Sequence, residues 1–285
     1  MSRYPAVISA ADLFDIIGRE DVKILDATFV LPNSGLDPLA DYQKEHIEGA
    51  QFFDIKDFAD TENPAPHMLC GPDCFAAKIG AMGIGNDDTV VIYGQSGMIM
   101  GPARAWWTFK TFGHEKVMVL DGGLPAWKRA GLSVTGDQPP APENSSYTAH
   151  FQPALVRSMK DVEASMSAGR LILDARPAER FSGATPEPRG DMRAGHIPGS
   201  HNIPCSQIVD PQTGCMKSHD ELEALFSICK SGEKACDITL SCGSGVTACA
   251  LALALYSLGY ENWSVYDGSW SEWGHKNAGT QIATQ

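Results

Sequence analysis

Basic charge is the first thing this sequence is short of. Its 22 Lys and Arg face 35 Asp and Glu, a formal net charge of −13, and no Lys/Arg run interrupts the acidic background. The chain therefore has no electrostatic footprint for nucleic acid or for an anionic membrane surface. Long apolar runs are missing as well. The longest, near Ala248–Tyr256, is about half of the ~20 residues that a bilayer span needs, which excludes a transmembrane helix. No apolar stretch of signal-peptide length follows Met1-Ser2-Arg3-Tyr4-Pro5, so a cytoplasmic protein is expected. Cysteine is too dilute for a disulfide framework. The 8 residues, at 70, 74, 205, 215, 229, 236, 242 and 249, should be reduced thiols in a chain with no export signal. Cys70 and Cys74 form a close pair but lack a second pair at zinc-finger spacing, so no metal site is expected.

What is present reads as an ordinary folded chain: 43% hydrophobic and 20% charged residues. At roughly 150 residues per domain the length corresponds to about two domains. An internal repeat supports that count. Val22-Lys23-Ile24-Leu25-Asp26-Ala27 returns as Leu171-Ile172-Leu173-Asp174-Ala175, and His46-Ile47-Glu48-Gly49-Ala50 as His196-Ile197-Pro198-Gly199-Ser200. Val90–Tyr93 returns as Ile238–Ser241, and Leu120-Asp121-Gly122-Gly123 as Tyr266-Asp267-Gly268-Ser269. The blocks keep their order at nearly constant offset (174 − 26 = 148 for the first aspartates), which signifies two tandem copies of one fold. Between them Thr135–Thr148 is rich in Pro and polar residues and reads as an extended spacer. The expected domains are thus 1–134 and 149–285, with 135–148 as linker.

Within each copy, short β-branched runs alternate with segments of helical period. Lys23–Asp26, Thr89–Tyr93 and Lys116–Leu120 read as buried strands, with Leu171–Asp174, Asp237–Ser241 and Ser264–Tyr266 as their counterparts. Ala103–Phe112 and Val246–Leu258 read as the helices after each central strand. This alternation predicts an α/β fold: two tandem domains, each a mainly parallel sheet flanked by helices. Ligand sites in such sheets lie beyond the carboxyl ends of the strands, which directs attention to the loops after Tyr93 and Ser241.

The second of these loops reads Cys242-Gly243-Ser244-Gly245-Val246-Thr247. A strand, a cysteine, a Gly-rich turn and a helix N-terminus in succession would surround a thiolate with inward N–H groups and partial positive charge. Such a thiolate is a nucleophile at neutral pH. The alternative is a small buried hydrophobe, which suits Cys249 better than Cys242. Cysteine phosphatases place an Arg six residues after the nucleophile; here that position is Ala248, which disfavours phosphate-ester hydrolysis.

These motifs resemble the two-domain rhodanese-like sulfurtransferases, and among them the 3-mercaptopyruvate branch. The likeness runs from Leu25-Asp26-Ala27 to the Tyr266–Trp273 stretch, and Cys242-Gly-Ser-Gly-Val-Thr247 is its most specific element. Thiosulfate-type loops usually carry Arg and Lys where Gly243 and Ser244 stand. The resemblance implies a non-catalytic first copy, since Gly94-Gln95-Ser96-Gly97 holds no cysteine. It also implies a substrate carboxylate and carbonyl held by Arg180 and Arg189, where guanidinium forks suit carboxylate geometry. Their alternative is pairing with Glu179 or Glu187. Gly243, Gly245, Val246 and Thr247 would supply loop amides, and His67 would relay a proton with Ser244. Lys56 occupies a position where an acidic residue is usual, leaving Asp54 and Asp57 as substitutes, and a purely structural His67 as the alternative reading. His46 and His196 open matching turns in both copies and read as scaffold; Trp106, Trp107, Trp270 and Trp273 read as packing.

The function expected is sulfur transfer through a Cys242 persulfide to a small thiol, cyanide or a thioredoxin-like dithiol, with no metal or organic cofactor. The rivals are a thiosulfate sulfurtransferase with the same intermediate, and a binding or sensor module without turnover.

Overall fold

The structure, a computed structural model, describes residues 4–31, 34–229 and 236–284. Among the described residues, ten strands form two five-stranded sheets, all of whose pairings are parallel. The first contains β1 (Val7–Ile8), β2 (Val22–Asp26), β3 (Gln51–Phe52), β4 (Thr89–Tyr93) and β5 (Val117–Leu120), in the order β1-β5-β4-β2-β3. The second contains β6 (Val156–Arg157), β7 (Leu171–Asp174), β8 (His201–Asn202), β9 (Ile238–Ser241) and β10 (Trp263–Tyr266), in the order β6-β10-β9-β7-β8. The repeat seen in sequence is therefore a repeat of topology.

The central strands read as continuous apolar runs because helices cover both faces of a parallel sheet. Every residue of β4, β5, β9 and β10 is buried. The helix Ala248–Ser257 is buried along all but its last residue, in keeping with its apolar, Ala- and Leu-rich composition. Its start lies two residues later than the periodicity predicts, because Gly245 turns the chain at φ +73° before the helix can begin. The helix after β4 begins earlier than predicted, at Met100, with Pro102 tolerated in its first turn. Among the described residues, no helix is long and apolar enough to cross a membrane.

Two compact units result. Met1–Phe58, Cys70–Gln152 and Val209–Met216 make up one, and Ala59–Leu69, Pro153–Ile208 and Lys217–Gln285 the other. Compactness thus does not follow the two halves of the sequence residue for residue. The Pro-rich stretch 135–148 belongs to the first unit. Thr135 pairs with His46 in an isolated bridge, and the Ser145 N–H donates to the Gly80 carbonyl at 2.8 Å. The tryptophans are packing elements, as expected: Trp106, Trp107, Trp270 and Trp273 are all buried.

Candidate active site

Strand β9 ends at Ser241, and Cys242 begins the loop at its carboxyl end with 1% of its surface exposed. A second segment, Tyr266–Trp273, holds this loop by its backbone. The Cys242 N–H donates to Ser269 Oγ (3.1 Å), the Trp270 N–H to the Cys242 carbonyl (2.9 Å) and the Ser271 N–H to the Gly243 carbonyl (2.8 Å). Ser269 adopts φ +48°, a left-handed conformation rare for a side chain with a Cβ, and so directs its hydroxyl at the Cys242 amide. Cys249 lies under the loop, its thiol donating to the Gly245 carbonyl at 3.1 Å, which suits the packing role expected of it.

Both candidate arginines reach this loop. The Arg180 guanidinium lies 3.1 Å from where a Cβ on Gly243 would stand, a close approach that a larger residue would have to displace by a few tenths of an ångström. Arg189 Nη1 donates to Ser271 Oγ (2.7 Å), and that hydroxyl donates to the Gly243 carbonyl (2.7 Å). Burial pushes the Arg189 pKa below its ordinary value, with Asp191 opposing the shift. Arg180 pairs with Glu187, as its alternative reading allowed, and Glu187 also accepts from Arg176 Nη1 at 2.9 Å. Arg176 in turn pairs with Asp174 at 2.6 Å and stacks on the Trp270 ring at 4.4 Å. The result is a chain of alternating charge, Asp174–Arg176–Glu187–Arg180, buried but for its partly exposed last member, which aims one guanidinium at the loop. Burial works against the Arg176 charge, but Asp174 and Glu187 together hold its pKa above the ordinary value.

His67 belongs to the same unit as the loop, and its Nδ1 lies 3.1 Å from Ser244 Oγ. It too has a left-handed backbone, φ +64°, and nearby the Leu69 N–H donates to the Asp267 carboxylate at 2.7 Å. Asp54 and Asp57, the substitutes considered for the relay acid, belong to the first unit, where Asp54 accepts the Lys56 N–H at 2.9 Å. A cavity of about 510 Å³ opens beside Arg189 and Ser271, lined also by Pro66, Asp191, Glu272 and His275.

Residues 9–130 and 158–276 both match the family described as Rhodanese-like domain. The chain belongs to the rhodanese-like family. It is 40% identical over 270 residues to the 3-mercaptopyruvate sulfurtransferase of Escherichia coli K12, covering 94% of each chain. It is 39% identical over 290 residues to a mitochondrial thiosulfate/3-mercaptopyruvate sulfurtransferase of Arabidopsis thaliana, covering 94% of this chain and 75% of that one. The crystal structure of SseA from Escherichia coli superposes with a TM-score of 0.83 at 36% identity, covering 94% of this chain and all of that one. The chain is an enzyme, a sulfurtransferase.

The first rhodanese-like domain has a matching backbone contact at the corresponding place, with Gly94 where Cys242 stands. The Leu124 N–H donates to the Gly94 carbonyl (3.0 Å), as Trp270 does to Cys242. Gln95 stands where Gly243 does, and its amide donates to Asp26 (2.6 Å) and to the Glu45 carbonyl (2.9 Å). The space left around Gly94, Gly97 and Gly123 is about 10 Å³, roughly that of one water.

Several residues of the second site escaped the sequence reading. Arg176 could have been noticed, because Asp174-Ala175-Arg176 faces Asp26-Ala27-Thr28 in an otherwise matched repeat. Ser269, Ser271 and Asp267 had no local signal, since each acts on a loop some 25 residues or more away in sequence. Cys205 is a further neighbour: burial and the nearness of Cys242 push its thiol up to about 12.

Proposed function

We propose that the enzyme takes sulfur from 3-mercaptopyruvate onto Cys242 and passes it to a small thiol, cyanide or a thioredoxin-like dithiol, releasing pyruvate. The observation that carries this reading is that Arg180 stands beside Gly243 while Arg189 reaches the Gly243 carbonyl through Ser271 Oγ, at a loop with no charged side chain of its own. A donor with one carboxylate suits two guanidinium groups held off the reacting sulfur. Relatives named for 3-mercaptopyruvate, at about 40% identity, point the same way.

In this mechanism the Cys242 thiolate attacks the donor sulfur. The new S–S bond forms as the donor C–S bond breaks, and the electron pair moves into the pyruvate enolate. Ser244, with His67 behind it, returns a proton to that enolate. The loop amides and the start of the helix at Ala248, which no side chain caps, stabilise the charge near the sulfur. The outer sulfur then leaves on the acceptor, restoring the thiolate. No metal or organic cofactor enters these steps.

Arg180→Ala and Arg189→Ala should each reduce kcat/KM for mercaptopyruvate by roughly ten- to a hundredfold, the equivalent of about 1.5–3 kcal/mol of charge-assisted hydrogen bonding. If both variants stay within twofold of wild type, the carboxylate is held elsewhere.

A name that includes thiosulfate, on the Arabidopsis relative, keeps a second donor in view. Thiosulfate releases sulfite, a compact dianion, and Gly243 and Ser244 put no cation beside it. Steady-state assays of both donors on one preparation should favour mercaptopyruvate by at least about tenfold in kcat/KM, or 1.4 kcal/mol. Equal use of thiosulfate would overturn the argument from loop charge. Absence of any gain in sulfur mass from either donor would overturn the persulfide step.

A further inference from the structure

Ser271 lies in the short helix Ser269–Trp273 with 6% of its surface exposed, and it meets the Cys242 loop twice. Its N–H (2.8 Å) and its hydroxyl (2.7 Å) both donate to the Gly243 carbonyl, so one residue occupies both lone pairs of that oxygen. A third bond fixes the direction of the hydroxyl. Arg189 Nη1, 2.7 Å from Ser271 Oγ, can only donate, so the hydroxyl accepts there and its single proton is turned to Gly243. The Gly243–Ser244 peptide is trans, which sends the Ser244 N–H to the side opposite that carbonyl, away from Ser271. With the Trp270 N–H on the Cys242 carbonyl, two consecutive peptides turn their carbonyls to the helix and their N–H groups away from it.

The first domain supplies a comparison. In the repeat, Asp121-Gly122-Gly123-Leu124-Pro125 answers to Asp267-Gly268-Ser269-Trp270-Ser271, so Pro125 stands where Ser271 does. Proline has neither an N–H nor a hydroxyl to offer. The Leu124 N–H keeps the first bond, to Gly94, while the double bond to the next carbonyl belongs to the domain whose loop carries a cysteine.

We propose that Ser271 is a positioning residue that ties Arg189 to the Gly243–Ser244 peptide, so that the donor-binding guanidinium and the loop amides act as one unit. The proposal rests on the reading that Arg189 holds the donor carboxylate. Arg189 and Ser271 line the same cavity of about 510 Å³, and the bond between them fixes where a carboxylate entering it meets the guanidinium. The same bond keeps the hydroxyl on Gly243 and stops the peptide from turning. The Ser244 amide is thereby held ready for the charge that develops near the Cys242 sulfur, with no rearrangement needed at that moment.

The test is a double-mutant cycle on the full chain: wild type, Ser271→Ala, Arg189→Ala and the double variant, loaded with sulfur from 3-mercaptopyruvate in single turnovers and read by intact mass. Two quantities separate the claims. The half-saturating donor concentration reports carboxylate binding, and the loading rate at saturation reports the loop. Ser271→Ala keeps the backbone N–H on Gly243 and loses the hydroxyl, so its saturating rate should fall about three- to tenfold. Arg189→Ala should slow the saturating rate too, because the hydroxyl loses the donor that directs it. The double variant should lie within about twofold of the slower single variant. Losses that multiply in the double variant would overturn the proposal, since a residue that merely packs against the loop acts without Arg189. A Ser271→Ala saturating rate within about twofold of wild type would overturn it as well. An unchanged half-saturating concentration in Arg189→Ala would sink the carboxylate reading instead, and the saturating rates would still decide the role of Ser271.

Discussion

Serine in place of Cys242 will lower sulfur transfer by at least about a thousandfold, some 4 kcal/mol in the barrier, and leave the fold in place. A hydroxyl is not ionised near neutrality and cannot carry a persulfide, so both halves of the reaction lose their atom. The fold should survive because what holds the loop is backbone. The Cys242 amide to Ser269 and the Cys242 carbonyl to Trp270 do not involve the sulfur. The introduced hydroxyl is buried, but Ser269 Oγ lies 4.0 Å from the present sulfur and offers a partner after a small shift. Leaving that hydroxyl unsatisfied would cost about 1–3 kcal/mol at most. The check has two parts: a thermal melt close to wild type, and intact mass after incubation with mercaptopyruvate. Wild type should gain one sulfur atom and the variant none. Activity above a few per cent would remove Cys242 from the mechanism.

The largest effect on stability should come from a buried carboxylate. Glu187 is 3% exposed and is shared between Arg176 and Arg180. Glu187→Ala would leave both guanidinium groups facing a void, with Asp174 the remaining carboxylate on Arg176. Removing one member of a buried ionic network costs about 3–5 kcal/mol, chiefly because the charges left behind cannot regain their hydration. We expect about 3 kcal/mol, read as a lower urea midpoint, since Arg180 is partly exposed and can turn to water. Glu187→Gln keeps the volume and an acceptor and should lose less. Released from Glu187, Arg180 should also bind the carboxylate less well, so KM rises before kcat falls. A variant that melts with wild type and keeps its KM would show that Arg180 is oriented by something else.

Much of this was legible in the sequence, for identifiable reasons. Six strands and the helices after β4 and β9 were read to within three residues at every boundary, because strands buried on both faces are apolar runs that few other structures produce. The edge strands β1, β3, β6 and β8 were not anticipated. Each has two residues, too few to show any period, and each forms only because a neighbouring strand offers its open edge. Cys242 was legible because strand, cysteine, glycines and helix are consecutive, so the chemistry is local. His67 and the two arginines entered through resemblance, and their positions in the fold became visible only with the tertiary structure.

The sequence by itself determined that the chain is a doubled α/β protein with one cysteine-bearing loop, since repeats, apolar runs and a contiguous motif are properties of neighbouring residues. The tertiary structure alone decided how that loop is held and charged. Ser269 and Ser271 clamp it from the far end of the domain, and Glu187 fixes Arg180 from behind. Gly243 is approached closely by a guanidinium 63 positions earlier in the chain (243 − 180). Interactions of this kind depend on distance in space between groups far apart along the chain, and no periodicity or local pattern encodes them.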